Sequence, residues 1–179
     1  MTLHLWLIPV LPLIGAAING LLGRRFSRQN VAAVALGFCG ASLVWALYVA
    51  ARSSSLPYVE HLAPWIRAGN FQSDFSFYLD QLSLVMLLVV TGVGFLIHIY
   101  SVGYMCEEGG LYRFFSYLNL FMFFMLTLVL ASNYLVMFIG WEGVGLASYL
   151  LIGFWFTKTR PHRRARKHSS SIALVTSDF

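Results

Sequence analysis

Charge is what this chain has least of. Lys and Arg together number 12 and Asp and Glu 7 among 179 residues, 11% of the total, against 59% hydrophobic and 16% aromatic residues. That leaves too little polar surface for a water-soluble globule, so the composition indicates a membrane protein. Cysteine is scarce too. Cys39 lies in an apolar run and Cys106 beside Glu107 and Glu108, which fits neither a disulfide framework nor a metal knuckle, so both are read as free thiols. No phosphate loop, nucleophile triad or metal-ligand cluster is visible, and with them go redox and hydrolytic chemistry within this chain.

The net charge of +5 invites a reading as a binder of nucleic acid or anionic lipid, but its distribution argues otherwise. Up to Thr157, six basic residues (Arg24, Arg25, Arg28, Arg52, Arg67, Arg113) balance six acidic ones (Glu60, Asp74, Asp80, Glu107, Glu108, Glu142). The whole excess sits in the last stretch, where Lys158, Arg160, Arg163, Arg164, Arg166 and Lys167 face only Asp178.

Runs of about 20 apolar residues are long enough to cross the hydrocarbon core as helices. Five such runs stand at residues 3–23, 31–51, 81–104, 114–132 and 134–156. The first has no basic residue before Trp6 and ends in Arg24 and Arg25 instead of a small-residue cleavage site, so it is read as a retained helix and not a signal peptide. Arg24, Arg25 and Arg28 follow the first run, Arg113 precedes the fourth and Lys158 follows the fifth, which places the N-terminus outside and the C-terminus inside. Between the second and third runs lies a polar excursion with Pro57, Pro64 and the turn-like Ala68, Gly69 and Asn70. Phe71, Ser73, Phe75 and Phe77 alternate there with Gln72, Asp74, Ser76 and Tyr78, which suits a short strand paired across the turn. The expected fold is therefore an all-α polytopic membrane protein of about five transmembrane helices with a small external β-hairpin between helices 2 and 3. Residues 1–52 form helices 1 and 2, 53–80 the hairpin segment, 81–157 helices 3 to 5, and 158–179 the basic tail.

Polar residues inside the spans carry what chemistry there is. A carboxylate at the bilayer centre costs about 2.5 to 3.5 kcal/mol by insertion scales, so Glu142, inside the fifth run, needs a reason. It shares a helical face with Gly145 and Tyr149, while Gly143 and Ala147 form a small-residue pair for close helix packing. Proton transfer and a neutral, hydrogen-bonded packing role both fit Glu142, and intramembrane acids default to the first. In the third run Thr91, Gly94, His98 and Ser101 form one stripe. His98 fits a proton relay and a structural hydrogen bond equally. Ser116, Asn119 and Thr127 of the fourth run fit helix-to-helix glue, and Asp80 fits the cap of the third helix.

The stretches FSFYLDQLS, HIYSVGYM, RFFSYLNLF and WEGVGLASYLLIGFW resemble the start of the largest antiporter-like membrane subunit of proton-translocating NADH:quinone oxidoreductase, respiratory complex I, a family called subunit L in bacteria and chain 5 in mitochondria. The likeness runs from residue 1 to about 158. The large subunit of Mrp-type sodium/proton antiporters shares much of the pattern and is the alternative; a purely structural five-helix protein is the third reading. The resemblance implies that Glu142 pairs with a lysine on a later helix as an electrostatic switch, and that His98 lies near the proton pathway. It implies a subunit of an oxidoreductase with no redox site of its own: NADH, FMN, iron–sulfur clusters and quinone belong to other subunits. The partners it implies are the other membrane subunits of complex I, the lipid bilayer and protons, without nucleic acid, in the inner (plasma) membrane of a bacterium.

After Lys158 the chain departs from that pattern. Members of the family are similar in continuing with something like GKKAFIVNRIGDFG, whereas this chain reads RKHSSSIALVTSDF. Permissible codons for that stretch and for Ala165, read one base earlier, translate as KKAFIVNRIGDFG. The tail is therefore read as a frameshifted version of the family's next segment, its basic run as a codon artefact, and none of its residues as a site. On this reading the lysine partner of Glu142 is missing, and the fragment alone is expected not to translocate protons.

Overall fold

The computed structural model describes residues 3–53, 56–68, 71–105 and 110–154. Cys106, Glu107, Glu108 and the basic tail lie outside the described residues. Five helices, α1 (Leu7–Leu22), α2 (Arg28–Arg52), α3 (Gln81–Tyr104), α4 (Leu111–Val129) and α5 (Tyr134–Gly153), are joined by a 3-10 turn at Gly23–Arg25 and by a hairpin of β1 (Tyr58–Ala68) and β2 (Phe71–Leu79). All five helices are long and apolar enough to span a membrane. The ends shift modestly from the sequence reading: α1 begins at Leu7 and α4 at Leu111, a turn later and a turn earlier than hydropathy placed them.

The chain's own residues start these helices. Ser27, Asp80 and Asn133 stand in extended conformation at the N-caps of α2, α3 and α5, and each side-chain oxygen accepts the backbone N–H three residues on, from Asn30, Ser83 and Val136. Asp80 thus takes the capping role expected of it. Its Oδ1 lies 2.6 Å from the Ser83 nitrogen, and that bond holds the carboxyl below the usual carboxylate range. Gly110 precedes α4 with φ of 92°, a left-handed conformation that glycine adopts without steric cost.

Helices α1 to α4 form the packed body: α4 lies against α1, α2 and α3, and α2 against α1 and α3. α5 packs on α4 and touches β2, which leaves it at the edge of the bundle. The side chains that point away from the body are those a lipid environment accepts. Leu82, Val89, Val93, Leu96 and Tyr100 cover one side of α3 and are all at least half exposed.

The hairpin expected between helices 2 and 3 is present, and its strands pair antiparallel from Tyr58 opposite Leu79 to Ala68 opposite Phe71. The register shifts twice in β1, between His61 and Ala63 and between Pro64 and Ile66. Bulges there let Pro64, which has no N–H to give, sit within a strand. The hairpin caps the bundle at the end where α4 turns into α5. Tyr78 N donates to the Leu130 carbonyl at 2.8 Å, Ser132 Oγ to the Ser76 carbonyl at 2.8 Å, and Asn133 Nδ2 to the Asp74 carbonyl at 2.8 Å. The Glu60 carboxylate accepts from Leu5 N at the start of the chain. Arg24, Arg25, Arg28 and Arg113 collect at the opposite end, around the α1–α2 turn and the start of α4.

Candidate functional site

The expected stripe on α3 exists as a buried face. Thr91, Gly94, His98 and Ser101 all point into the body. The Thr91 hydroxyl donates to the Leu87 carbonyl of its own helix at 2.7 Å, so it serves local backbone satisfaction. His98 is fully buried and reaches two partners. Its Nδ1 lies 2.7 Å from the Gly94 carbonyl oxygen, one turn back, and its Nε2 lies 3.2 Å from Asn119 Oδ1 on α4. Its ring centroid is 6.3 Å from that of Phe115. The small size of Gly94 matters locally, since a Cβ there would overlap the Met122 side chain of α4.

The three residues of α4 read as helix-to-helix glue divide. Ser116 Oγ donates to the Ala16 carbonyl of α1 at 2.8 Å, and Asn119 meets His98 of α3, so both join helices as expected. Thr127 does not: its hydroxyl donates to the Phe123 carbonyl at 2.8 Å within α4. A buried hydroxyl that finds no cross-helix partner turns back to its own i−4 carbonyl, which corrects its reading as glue.

Sequence reasoning passed over two residues of this polar interior. Asn19 of α1 is fully buried and donates from Nδ2 to the Val31 carbonyl of α2 at 3.2 Å. Ser42 of α2 is fully buried and donates to the Ile8 carbonyl of α1 at 2.7 Å. The signal for the first was an amide inside an apolar run, and for the second a proline, Pro12, four residues after the carbonyl that needs a donor.

Glu142 stands elsewhere. Gly143 and Ala147 are buried against α4, where a Cβ on Gly143 would overlap the Phe124 ring, so the small-residue pair does allow close packing. That contact turns Glu142, Gly145 and Tyr149 to the opposite side of α5, which the described residues leave uncovered, and Tyr149 is 73% exposed. Trp141, Phe138 and Leu146, all exposed, surround Glu142 with apolar surface. No cation lies within ion-pairing distance of it among the described residues. His98 and Glu142 are thus two separate polar features: one buried where α3 meets α4, the other midway along the face of α5 that the described residues leave open.

Two family models match. The one described as "NADH-Ubiquinone oxidoreductase (complex I), chain 5 N-terminus" covers residues 65–115, from the hairpin through α3. The one described as "NADH:quinone oxidoreductase/Mrp antiporter, TM" covers residues 131–176, including α5 and most of the basic tail. The NADH-quinone oxidoreductase subunit L of Rickettsia bellii is 45% identical over 175 residues, 97% of this chain and 27% of that protein. Subunit L of Mycobacterium tuberculosis is 45% identical over 93% of this chain and 27% of that protein, and NADH-ubiquinone oxidoreductase chain 5 of Marchantia polymorpha 45% over 90% and 24%. The chain thus spans about a quarter of the length of these relatives. Among solved structures, a chain of the archaeal membrane-bound sulfane sulfur reductase, a respiratory membrane complex, matches with a TM-score of 0.66 at 19% identity, over 80% of this chain and 22% of that one, a likeness of fold. With five spans, an intervening hairpin and this level of identity along nearly its whole length, the chain belongs to the family of the subunit L and chain 5 membrane subunits of complex I.

Proposed function

We propose that the chain is part of a proton-translocating membrane subunit of NADH:quinone oxidoreductase, in which electron transfer from NADH to quinone drives protons across the bilayer. The observation that carries this reading is Glu142, a carboxylate midway along α5 on a face of apolar side chains that the described residues leave uncovered. An intramembrane acid at such a place is retained for charge or proton movement, and a cation brought to it and withdrawn would switch its charge state. His98, hydrogen-bonded on both ring nitrogens inside the body, is the second proton-transfer group on this reading. NADH, FMN, iron–sulfur clusters and quinone belong on other subunits, and this chain contributes no redox group. The partners are other membrane subunits of the complex and lipid. The four arginines at the end opposite the hairpin support a cytoplasmic position for that end, with the N-terminus outside, in the plasma membrane of a bacterium. Residues 158–179 we read as a frameshifted tail. Resequencing from the codon for Phe156 onward is expected to show KKAFIVNRIGDFG one base out of frame, and an unambiguous gene sequence without it would refute that.

The test is Glu142→Gln in the full-length subunit within its complex. NADH-driven acidification of inverted membrane vesicles is expected to fall severalfold while NADH oxidation by an artificial acceptor is unchanged. Undiminished acidification would reject the role of Glu142. Because the second family model also covers Mrp antiporters, the same vesicles are tested with a sodium gradient and no NADH. Sodium-driven proton movement that Glu142→Gln abolishes would replace the oxidoreductase reading with the antiporter one.

A further inference from the structure

Two buried polar atoms in the region where α1 meets α4 have no hydrogen-bond partner among the described residues, Asn19 Oδ1 and Asn119 Nδ2. They belong to one stretch of that contact. Asn119 Nδ2 lies 3.2 Å from where a Cβ on Gly15 would stand, and Asn19 follows Gly15 by one helical turn on the same side of α1. Each amide is anchored at its other atom, Asn19 on the Val31 carbonyl and Asn119 on His98 Nε2.

The hydrogen-bonding capacity of His98 decides what can stand between them. A neutral imidazole has one N–H and one lone pair, and an imidazolium has two N–H groups. The Gly94 carbonyl can only accept, so Nδ1 carries a proton in either state. In the neutral ring Nε2 then requires a donor, which Asn119 supplies by turning its amide over, an exchange of oxygen and nitrogen positions that leaves its shape unchanged. Asn119 Oδ1 then faces the Asn19 side, where Oδ1 is also an acceptor. In the imidazolium, Nε2–H donates to Asn119 Oδ1 and Nδ2 faces Asn19 instead. A direct amide–amide bond serves only the second state.

We infer that an internal water molecule is held between Asn19 and Asn119. It donates to both amide oxygens when His98 is neutral; when His98 is charged it accepts from Asn119 and donates to Asn19. Water is the ligand that satisfies both arrangements, because it both donates and accepts. A pocket lies near this site. Val31, whose carbonyl holds Asn19, lines a cavity of ≈ 140 Å³ bounded by Arg24, Arg28 and Tyr112 at the arginine end of the bundle. The other ionisable side chain buried in the helical body among the described residues is Cys39 on α2. This inference rests on the proton-transfer reading of His98 and deepens it by placing a water molecule against Asn119, the hydrogen-bond partner of its Nε2.

The experiment is solid-state NMR of the full chain, labelled with 15N-asparagine, in lipid bilayers, reading polarisation transfer from water to side-chain amides. The Asn119 amide is expected to receive transfer comparable to that of the exposed Asn30, and Asn19→Leu is expected to reduce it severalfold. An Asn119 amide that receives none in the unaltered chain, or one unaffected by Asn19→Leu, overturns the inference. Should Asn19→Leu fail to fold, the unaltered chain alone decides. The measurement reads hydration and not pumping, so its failure and that of the Glu142→Gln test are separate results.

Discussion

The Ser42 hydroxyl of α2 donates to the Ile8 carbonyl of α1 at 2.7 Å, and that carbonyl is the one Pro12 leaves without an amide partner. In a regular helix the N–H of residue 12 would bond the carbonyl of residue 8, but proline has none. Water cannot make up the loss in the hydrocarbon region, so a neighbouring helix must. Ser42→Ala is expected to destabilise the protein by about 1 kcal/mol. The same change made beside Pro12→Ala, which restores the N–H, is expected to cost distinctly less. Thermal unfolding of the four variants in detergent forms the cycle, and equal costs in both backgrounds would show that the two residues are not coupled.

Asn133 does two jobs at the α4–α5 turn. Its side-chain oxygen accepts from Val136 N at 2.9 Å, and its nitrogen donates to the Asp74 carbonyl of β2 at 2.8 Å. Asn133→Ala removes both, and a loss of about 1–2 kcal/mol is expected. Asn133→Asp keeps the cap but loses the donor to the hairpin, so it should retain part of the stability. Amide hydrogen exchange distinguishes the parts: faster exchange at Val136 in Asn133→Ala alone, and faster exchange along β2 in both variants.

The five spans and the capping of α3 were legible because each depends on local composition: twenty apolar residues make a span wherever they occur, and an Asp before a helix caps it. The stripe through His98 was legible for the same reason, since 3.6-residue periodicity puts Thr91, Gly94, His98 and Ser101 on one side of any helix. Which carbonyl or amide meets which across the bundle was not legible. Asn19 and Val31 are close in sequence, but Ser42 and Ile8, Ser116 and Ala16, and Glu60 and Leu5 meet only through tertiary packing. Thr127 shows the limit from the other side, because its spacing suited a helix contact and its hydroxyl instead serves its own backbone. For Glu142 the sequence marked an anomalous charge, and only the packing of Gly143 and Ala147 on α4 shows which way that charge points.

Asp80 offers a pH test outside the membrane-spanning segments. Its folded-state pKa lies below the ordinary 3.8, chiefly because Ser83 N–H bonds the ionised carboxyl. The sign follows from linkage: a depressed folded pKa contributes stability at pH values above 3.8, and that stability is lost as the pH falls through the lower folded value. Asp80→Asn keeps an N-capping oxygen but cannot titrate. Acid unfolding of the unaltered protein is therefore expected to show an additional loss of stability below 3.8 that Asp80→Asn lacks. Identical acid profiles for the two proteins would refute this.

Gly140 and Gly145 are both glycines of α5, five residues apart, and their surroundings predict opposite outcomes for the same substitution. A Cβ on Gly140 would come within 2.8 Å of the Leu128 nitrogen and Cα, and backbone atoms of a packed helix do not move aside cheaply. A Cβ on Gly145 meets nothing within 4 Å. Gly140→Ala is expected to force α5 away from α4 and to cost about 1–3 kcal/mol, as overpacking does. Gly145→Ala is expected to leave stability within about 0.5 kcal/mol or to raise it, since alanine is the better helix former. Because Gly145 shares its face with Glu142, proton pumping in the full-length complex adds a second reading to the same pair. Lost pumping with undiminished stability in Gly145→Ala would mean that the open face of α5 must receive a close neighbour beside Glu142. Unchanged pumping would mean that whatever meets Glu142 reaches it by a side chain long enough to tolerate a methyl group nearby.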